Sequence, residues 1–305
     1  MAERSVVITG ASRGLGLASA AHLHRHGWRV VAAVRSPDAA WERLRSATGA
    51  AADDPRLLAV RLDLDDPASI IAGARSIREA VGAPDAVVHN AGVAAVGCAE
   101  EMPPAVSAQI FSTNVFGPMR LTQELLPSMR AAGRGRIVVV SSQGGVRGMP
   151  AISAYSAAKG ALERWAEALS HEVAAFGVGV TVLVTGTFRT DILELTQTYA
   201  DPAGPYAAHH ETIERTGRWI VRAASPPERF AAALARALDD RAPFSRRAVG
   251  LDARALVLGS RLMPARAFHW VVGRALRLPR PGSLRDDPVR LTAVSPRSEE
   301  REARG

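Results

Sequence analysis

The sequence has one cysteine, Cys98, among its 305 residues. A lone thiol excludes an intramolecular disulfide, and because the eight histidines are scattered along the chain we expect no metal site. No apolar run approaches the roughly eighteen residues that a membrane-spanning helix needs. The first predicted strand begins at Ser5, which leaves no room for a signal peptide. We therefore expect a cytoplasmic protein.

Acidic residues are scarce in one C-terminal segment. The formal net charge is +8, and between Asp252 and Arg280 the chain carries one acid and six arginines: Arg254, Arg261, Arg266, Arg274, Arg277 and Arg280. No helix-turn-helix, zinc-finger or stacking-aromatic pattern accompanies them, so we expect no nucleic-acid partner. With 47% hydrophobic and 22% charged residues, the composition is that of a globular protein with a sizeable core.

β-branched runs alternate with helical patterns along the first 185 residues. Strands are predicted at 5–9, 28–34, 57–62, 86–89, 136–141 and 178–184, with a short last strand at 247–250. Long helices are predicted at 109–130 and 153–176, and a further helix from Pro226-Pro227 to Leu238. The pattern indicates the α/β class, as a Rossmann-type doubly wound parallel β-sheet flanked by helices in a single domain with a C-terminal helical extension.

The predicted domain covers 1–250 and includes a lid at 191–225. Prolines and glycines there, such as Pro202, Gly204 and Pro205, predict short helices over the carboxyl ends of the strands. Residues 251–280 are a basic amphipathic extension, and 281–305 are predicted to be a disordered tail.

A glycine loop follows the first strand, in the order Thr9-Gly10-Ala11-Ser12-Arg13-Gly14-Leu15-Gly16. Glycines let another group approach the backbone closely, and the helix N-terminus near Leu15 favours an anion such as a pyrophosphate. The loop alone is a weak signal.

Tyr155 and Lys159 are four residues apart and share one helix face. A nearby ammonium favours a phenolate, so we expect a lowered pKa for Tyr155 and a role as general acid or base. Ser142 ends the preceding strand and is expected to face the same crevice, with Ser141 as the rival. Asn114 interrupts a predicted helix, where it either holds a water through a local bend or is an exposed surface residue.

Together these motifs resemble the short-chain dehydrogenase/reductase family over about 5–250. The resemblance implies that Ser142 orients the substrate oxygen, that Tyr155 is the acid/base, that Lys159 binds the nicotinamide ribose, and that Asn114 supports a relay water. It implies cofactor contacts for the following residues: Gly10, Ser12, Arg13, Gly14, Leu15, Gly16, Arg35, Asp63, Leu64, Asn90, Ala91, Gly92, Tyr155, Lys159, Gly186, Phe188 and Thr190. Thr185 stands where the family usually has proline, and this difference predicts a looser turn there.

Cofactor and substrate preferences follow from side chains near the strand ends. Arg35 after the second strand, with Arg13 nearby, favours NADP(H) over NAD(H), because two guanidinium groups suit a 2′-phosphate. The segment Ala33-Val34-Arg35-Ser36-Pro37 resembles steroid- and retinol-handling members. An apolar wall is expected for a small hydrophobic carbonyl or alcohol, from Val93, Val96, Met149, Phe188, Leu193, Tyr199, Tyr206 and Trp219.

Three questions remain open at the level of sequence: the activity, the oligomeric state and the place of the C-terminal segment. The chain is an oxidoreductase interconverting a ketone or aldehyde and an alcohol, or a catalytically idle NADP(H)-binding redox sensor or scaffold. The resemblance implies a homodimer or homotetramer packed through the helices around Asn114 and Tyr155. The segment 252–280 either contacts the inner membrane surface peripherally or folds back to close the pocket or a subunit contact.

Overall fold

The computed structural model describes residues 4–190, 196–222 and 224–284. Its main sheet has seven parallel strands in the order β3-β2-β1-β4-β6-β7-β9, and β5 and β8 form a separate pair. The strands are β1 Ser5–Thr9, β2 Arg29–Val34, β3 Leu57–Arg61, β4 Ala86–His89, β5 Ala95–Val96, β6 Gly135–Ser142, β7 Val178–Thr185, β8 Gln197–Thr198 and β9 Phe244–Val249. Strand order reverses between β1 and β4, which is where doubly wound sheets bind ligands.

Helices cover both faces of the sheet. They are α1 Gly14–Arg25, α2 Pro37–Thr48, α3 Pro67–Val81, α4 Pro104–Phe111, α5 Gly117–Ala132, α6 Gln143–Val146, α7 Ser153–Val173, α8 Ala207–Arg222, α9 Pro227–Leu238, α10 Leu251–Leu262 and α11 Ala265–Ala275. This architecture confirms the predicted α/β class and the Rossmann-type sheet.

The β-branched runs form the central strands because both faces of a parallel sheet are buried. Val6 and Ile8 of β1 belong to the core on one side of the sheet, whereas Val7 belongs to the core on the other. Each core also contains helix side chains, such as Leu23 on the first side and Leu162 on the second. These two cores fix the sheet and therefore the positions of the loops at its carboxyl edge.

Several element boundaries differ from the sequence prediction. The predicted helix at 109–130 consists of α4, a π-helical turn at Ser112–Phe116, and α5. The predicted helix at 153–176 is α7 followed by a 3₁₀ turn at Ala174–Phe176, and the last strand is longer than predicted.

The lid contains a long helix where only short ones were predicted. Pro202, Gly204 and Pro205 all precede α8, so they limit where it begins without interrupting it. Residues 191–195 and 223 of the predicted lid lie outside the described residues. In the part of the chain that the structure describes, no helix combines the length and apolarity needed to cross a bilayer.

The C-terminal extension consists of α10 and α11, which Pro264 separates as expected of a residue that cannot continue a helix. Ala253 of α10 and Phe268 of α11 are buried, so both helices pack onto the domain. The Arg147 guanidinium lies 5.3 Å from the centre of the Phe268 ring. Most of the predicted tail, residues 285–305, lies outside the described residues.

Candidate active site

A cavity of about 860 Å³ opens at the carboxyl edge of the sheet, beside the β1/β4 switch point. Two of the predicted site residues, Gly16 and Asn114, lie behind its wall, and the others line it. The lining residues from the prediction are Gly10, Ser12, Arg13, Gly14, Leu15, Arg35, Asp63, Leu64, Asn90, Ala91, Gly92, Ser142, Tyr155, Lys159, Gly186, Phe188 and Thr190.

The glycine loop is shaped for close backbone approach. Gly10 and Gly14 have φ of +67° and +54°, in the left-handed region that favours glycine. A Cβ on Gly16 would lie 2.3 Å from the Gly10 carbonyl oxygen and 2.6 Å from Asn90 Nδ2. This packing brings the start of α1 against the loop, and Gly14 and Leu15 at that start line the cavity. A helix N-terminus in this place fits a pyrophosphate.

Asn90 joins the two strands at the switch point. Its Nδ2 donates to the Thr9 carbonyl oxygen at 2.9 Å, and its backbone N–H donates to Thr9 Oγ1 at 3.0 Å. The Ala91 N–H donates to the same hydroxyl oxygen at 3.0 Å. Thr9, which the sequence analysis used only as part of the loop motif, therefore helps to position the loop after β4.

Ser142 and Tyr155 line the same part of the cavity wall, and the Ser142 hydroxyl accepts a hydrogen bond from the Gly144 N–H at 3.3 Å. Strand alternation distinguishes Ser142 from Ser141, the alternative candidate for the catalytic serine. The Ser141 side chain is on the other face of the sheet, where its hydroxyl donates to Glu163 Oε1 at 2.7 Å. Burial raises the pKa of Tyr155, and the neighbouring Ser142 hydroxyl opposes that effect only in part. The expected lowering of the Tyr155 pKa is therefore wrong for this structure, because desolvation of the phenolate outweighs the stabilising neighbours.

Lys159 is buried next to Tyr155, with its Nζ 5.8 Å from the centre of the Tyr155 ring. The ammonium donates to the Val140 carbonyl oxygen at 2.9 Å. Burial lowers the pKa of Lys159 to about 8, and Glu163 acts in the opposite direction. The side chain thus remains a cation at neutral pH.

Glu163 lies one helical turn beyond Lys159 and is 2% exposed. Its Oε2 accepts hydrogen bonds from Arg246 Nε and Nη2 at 2.9 and 2.7 Å. Together with the bond from Ser141, these contacts fix a buried carboxylate behind the ammonium. The sequence analysis missed Glu163 and Arg246, which are brought together only by the packing of α7 against β9.

Asn114 lies in the π-helical turn between α4 and α5, and its side chain is buried. Its Oδ1 accepts from the Val93 N–H at 2.9 Å, and its Nδ2 donates to the Val93 carbonyl oxygen at 2.8 Å. The buried side chain excludes the surface alternative, and the relay water that Asn114 is expected to hold stays a prediction. The bonds hold the loop after β4 in place beside Lys159.

Several hydrogen bonds hold the loop after β7. Thr185 donates from its hydroxyl to the Ser141 carbonyl oxygen at 2.7 Å, and it pairs in register with Val249. Asp252 Oδ2 then accepts from the Thr187 N–H at 2.7 Å and from Gln143 Nε2 at 2.7 Å. Threonine thus supplies a donor that proline lacks, and the extension supplies a carboxylate. The looser turn stays a prediction, because it concerns the flexibility of the loop and these bonds give its contacts.

Three arginines line the cavity around the end of β2. Arg13 and Arg35 were predicted, and Arg43 of α2 joins them because its Nη1 donates to the Ser12 carbonyl oxygen at 3.3 Å. The sequence analysis missed Arg43, since only the packing of α2 against the glycine loop brings it near. This end of the cavity is suited to bind a phosphate.

The opposite end of the cavity, near Tyr155, is mostly apolar. Of the predicted wall, Val93, Val96, Met149 and Phe188 line it, whereas Leu193 lies outside the described residues, as does the Trp219 side chain. The prediction that Tyr199 and Tyr206 line this wall is wrong, because neither is among the lining residues. Their hydroxyls bond to Gln197 and Glu100 instead. Apolar lining residues missed from the sequence are Ile152, Ile213, Leu256, Val272, Ala275 and Leu276.

The extension therefore closes one side of the cavity through residues of α10 and α11. This is the fold-back arrangement that the sequence left open, in which the inner faces of the two helices line the cavity. The outer faces of the same helices are exposed.

Comparison with known proteins agrees with this geometry. A family model described as short chain dehydrogenase matches residues 4–200. The uncharacterized oxidoreductase YbbO of Escherichia coli is 34% identical over 277 residues, which are 88% of this chain and 94% of that protein.

Solved structures extend the likeness to the fold. A short-chain dehydrogenase from Streptomyces avermitilis is 35% identical, with a TM-score of 0.75 over 90% of this chain and 98% of that one. A Burkholderia phymatum short-chain dehydrogenase/reductase in complex with NAD is 25% identical, with a TM-score of 0.73 over 91% and 96% of the two chains. A metagenomic short-chain oxidoreductase in complex with NADP is 26% identical, with a TM-score of 0.63 over 81% and 96%. The chain therefore belongs to the short-chain dehydrogenase family of NAD(P)-binding oxidoreductases.

Proposed function

We propose that the protein is an NADP(H)-dependent reductase that converts a small hydrophobic ketone or aldehyde into an alcohol, and that it also catalyses the reverse oxidation. The observation that carries the proposal is that Ser142, Tyr155 and the buried Lys159 ammonium line one cavity together, with the Lys159 Nζ 5.8 Å from the centre of the Tyr155 ring. When bound, the nicotinamide supplies or accepts the hydride.

The side chains of this chain perform the binding and the proton transfer. The Ser142 hydroxyl donates a hydrogen bond to the substrate oxygen and orients it toward Tyr155. Because its pKa is raised, Tyr155 is protonated at neutral pH and donates its phenolic proton to the oxygen as the alcohol forms. The Lys159 ammonium holds a ribose hydroxyl and stabilises the phenolate that remains. Asn114 positions the Val93 backbone that borders the substrate.

The direct test is turnover of NADPH with a panel of hydrophobic ketones and aldehydes, followed by nicotinamide absorbance. Consumption of NADPH that depends on the added carbonyl supports the reductase. Tight NADPH binding with no turnover on any carbonyl or alcohol would favour the alternative, a catalytically idle redox sensor or scaffold.

The preference for NADP(H) makes a second prediction. Arg35→Ala should weaken NADPH binding roughly 10- to 100-fold, because a hydrogen bond to a charged group contributes about 1.5–3 kcal/mol. NADH lacks the 2′-phosphate, so its affinity should change little. Fluorescence titration of both cofactors measures the difference, with Arg75→Ala as a control because Arg75 is an exposed arginine of α3 outside the cavity lining. Equal losses of affinity for NADPH and NADH would show that Arg35 does not bind the 2′-phosphate.

The quaternary state is proposed from the family, whose members are typically oligomeric. We propose a homodimer or homotetramer packed through α5 and α7. Phe116, at the junction of the π-helical turn and α5, is one of the most exposed large apolar side chains among the described residues. Burial of Phe116 by a second copy would account for its exposure here.

We also propose that the outer faces of α10 and α11 bind the cytoplasmic surface of a membrane rich in anionic lipid. Along α10, Leu251, Leu258 and Leu262 are 79%, 57% and 73% exposed, and their spacing aligns them on one stripe opposite the buried Ala253. On α11, Trp270 is 66% exposed and lies between Arg266 and Arg274 on the same face.

Charge identifies the occupant of this surface. Arginines flank both apolar stripes, and the Arg274 guanidinium lies 5.8 Å from the Trp270 ring centre. Apolar side chains with a tryptophan between basic residues are typical of helices that lie in an anionic lipid interface. A protein partner would need acidic groups placed around an apolar groove. A membrane of anionic lipid supplies the negative charge in its headgroups and the apolar surface in its acyl chains.

The predicted result is that full-length protein sediments with vesicles containing phosphatidylglycerol at low salt and is released as salt increases. Vesicles of phosphatidylcholine alone should retain little protein. The triple variant Leu258→Ser/Leu262→Ser/Trp270→Ser should lose sedimentation but keep its activity, because these side chains point away from the cavity. The control Phe176→Ser removes an exposed ring elsewhere on the surface and should leave sedimentation unchanged.

Removing the whole extension is a less useful test, since it also deletes Asp252 and Leu256 from the site. Light scattering of the triple variant separates lipid binding from self-association. If the variant dissociates into smaller species while wild-type protein ignores anionic vesicles, the surface is a subunit contact and the membrane proposal is wrong.

A further inference from the structure

A cluster of three potential metal ligands lies outside the catalytic site. The Cys98 thiol, the Glu101 carboxylate and the His210 imidazole have their ligand atoms within 4.8 Å of one another. From the sequence we expected no metal site, because one thiol and eight scattered histidines offer no ligand spacing. The fold brings Cys98 and His210 together, because α8 packs against the loop that follows β5.

The cluster is a preorganised pocket and not a chance group of surface side chains. Cys98 is buried, and the His210 and Glu101 side chains are 13% and 14% exposed. His210 Nε2 lies 2.5 Å from Glu101 Oε2. Glu101 also accepts hydrogen bonds from the backbone N–H groups of Cys98 at 3.0 Å and Asp201 at 3.2 Å. Its carboxylate is therefore held in position by both sides of the pocket.

We propose that Cys98, Glu101 and His210 bind one Zn²⁺ ion. Thiolate sulfur, imidazole nitrogen and carboxylate oxygen are the three ligand types that zinc uses in proteins, and three protein ligands leave a fourth position for water. Tetrahedral zinc at about 2.0–2.3 Å from each ligand atom places those atoms roughly 3.3–3.6 Å apart. His210 Nε2 and Glu101 Oε2 are 2.5 Å apart, so these two atoms would separate by roughly 1 Å when the ion binds. The Cys98 thiol proton is released to solvent on binding.

The ion would join two parts of the substrate-side wall. Cys98 and Glu101 lie on one turn after β5, closed by the Met102 N–H bond to the Cys98 carbonyl oxygen at 3.1 Å. His210 lies in the first turn of α8, whose later residue Ile213 lines the cavity. The β5–β8 pair and the Tyr206 hydroxyl bond to Glu100 at 2.7 Å also connect these two parts. Zinc would therefore fasten the lid helix to the body of the domain.

The test uses full-length protein freed of metal with a chelator and titrated with Zn²⁺ alone. We expect one zinc per chain by elemental analysis after desalting, and a rise in melting temperature with added zinc. With Co²⁺ as the probe, we expect the near-ultraviolet sulfur-to-cobalt charge-transfer absorption that reports a thiolate ligand. None of these measurements depends on enzymatic activity, so their outcome is separate from that of the proposed reductase function.

Ligand variants make the assignment specific. Cys98→Ser should abolish the charge-transfer absorption. Cys98→Ser and His210→Gln should each weaken zinc binding by more than about tenfold, since loss of a residue that only supports a ligand already costs about that much. The control His269→Gln changes an exposed histidine of α11 and should bind like wild type. Glu101→Gln serves as a further ligand variant if one of the others fails to fold. Absence of stoichiometric zinc from wild type, or zinc binding that survives both Cys98→Ser and His210→Gln, would overturn the proposal.

Discussion

Tyr155→Phe should reduce NADPH-dependent carbonyl turnover by roughly 10²- to 10⁴-fold, the usual contribution of a positioned acid or base. The change removes one oxygen and leaves the ring, so the cavity keeps its shape and the glycine loop is untouched. Cofactor affinity should therefore change far less than turnover, because only the proton-transferring oxygen is lost. Steady-state kinetics with a hydrophobic ketone and a fluorescence titration with NADPH measure the two quantities separately.

Tyr199→Phe is the matched control for this loss. It removes the same atom from a tyrosine whose hydroxyl bonds to Gln197, outside the cavity. We expect Tyr199→Phe to keep wild-type turnover. If Tyr155→Phe retained most of the activity, proton transfer would have to come from another group and the mechanism proposed above would be wrong.

The sequence was sufficient to predict the central arrangement of the site because that arrangement is local. Tyr155 and Lys159 are four residues apart in a helix, so they are neighbours on one face. Successive residues of a strand point to opposite faces of the sheet, which assigns Ser142 and Ser141 to different sides. The glycine loop likewise belongs to one strand–turn–helix unit. These relations hold before any tertiary contact forms.

The electrostatic state of the same residues was not predictable in this way. Sequence reasoning considered the cation near Tyr155 and expected its pKa to fall, whereas burial dominates in the folded protein and raises it. Desolvation depends on how much of the lid, the extension and α7 surrounds the phenol. That quantity is set by contacts between residues far apart in the chain.

Distant contributions to the site were missed for the same reason. Asp252 braces the loop after β7, yet it belongs to a segment that the sequence marked only by its basic charge. Arg43 reaches the glycine loop from α2, and Leu256 reaches the cavity from α10. No period or motif distinguishes these side chains from ordinary helix residues.

Glu163→Gln should lower the free energy of unfolding and shift the pH dependence of kcat/KM. Breaking a buried ion pair leaves the remaining charge unpaired and costs about 3–5 kcal/mol. Glutamine keeps an oxygen that accepts from Ser141 or Arg246, so we expect the lower end, about 3 kcal/mol, in urea denaturation. Glu167→Gln is the control, since Glu167 lies one turn further along α7 and forms an exposed ion pair with Arg164.

The pH effect follows from the position of Glu163 behind Lys159. The pKa of Lys159 is about 8, because burial lowers it while Glu163 opposes that lowering. The ammonium is present below this pKa and is lost as the pH rises through it. Wild-type kcat/KM for carbonyl reduction should therefore fall as the pH rises through about 8. Without the carboxylate the pKa of Lys159 is lower, so the same fall should occur at a lower pH.

A double variant separates this positioning role from a purely structural one. Glu163→Met/Arg246→Met removes both charges, and replacement of a buried ion pair by apolar residues is often neutral or stabilising. We expect it to recover most of the stability lost in Glu163→Gln while keeping the shifted pH profile, because Lys159 still lacks its carboxylate. If the double variant regained the wild-type pH profile together with its stability, Glu163 would act only through packing and would not tune the ammonium beside Tyr155.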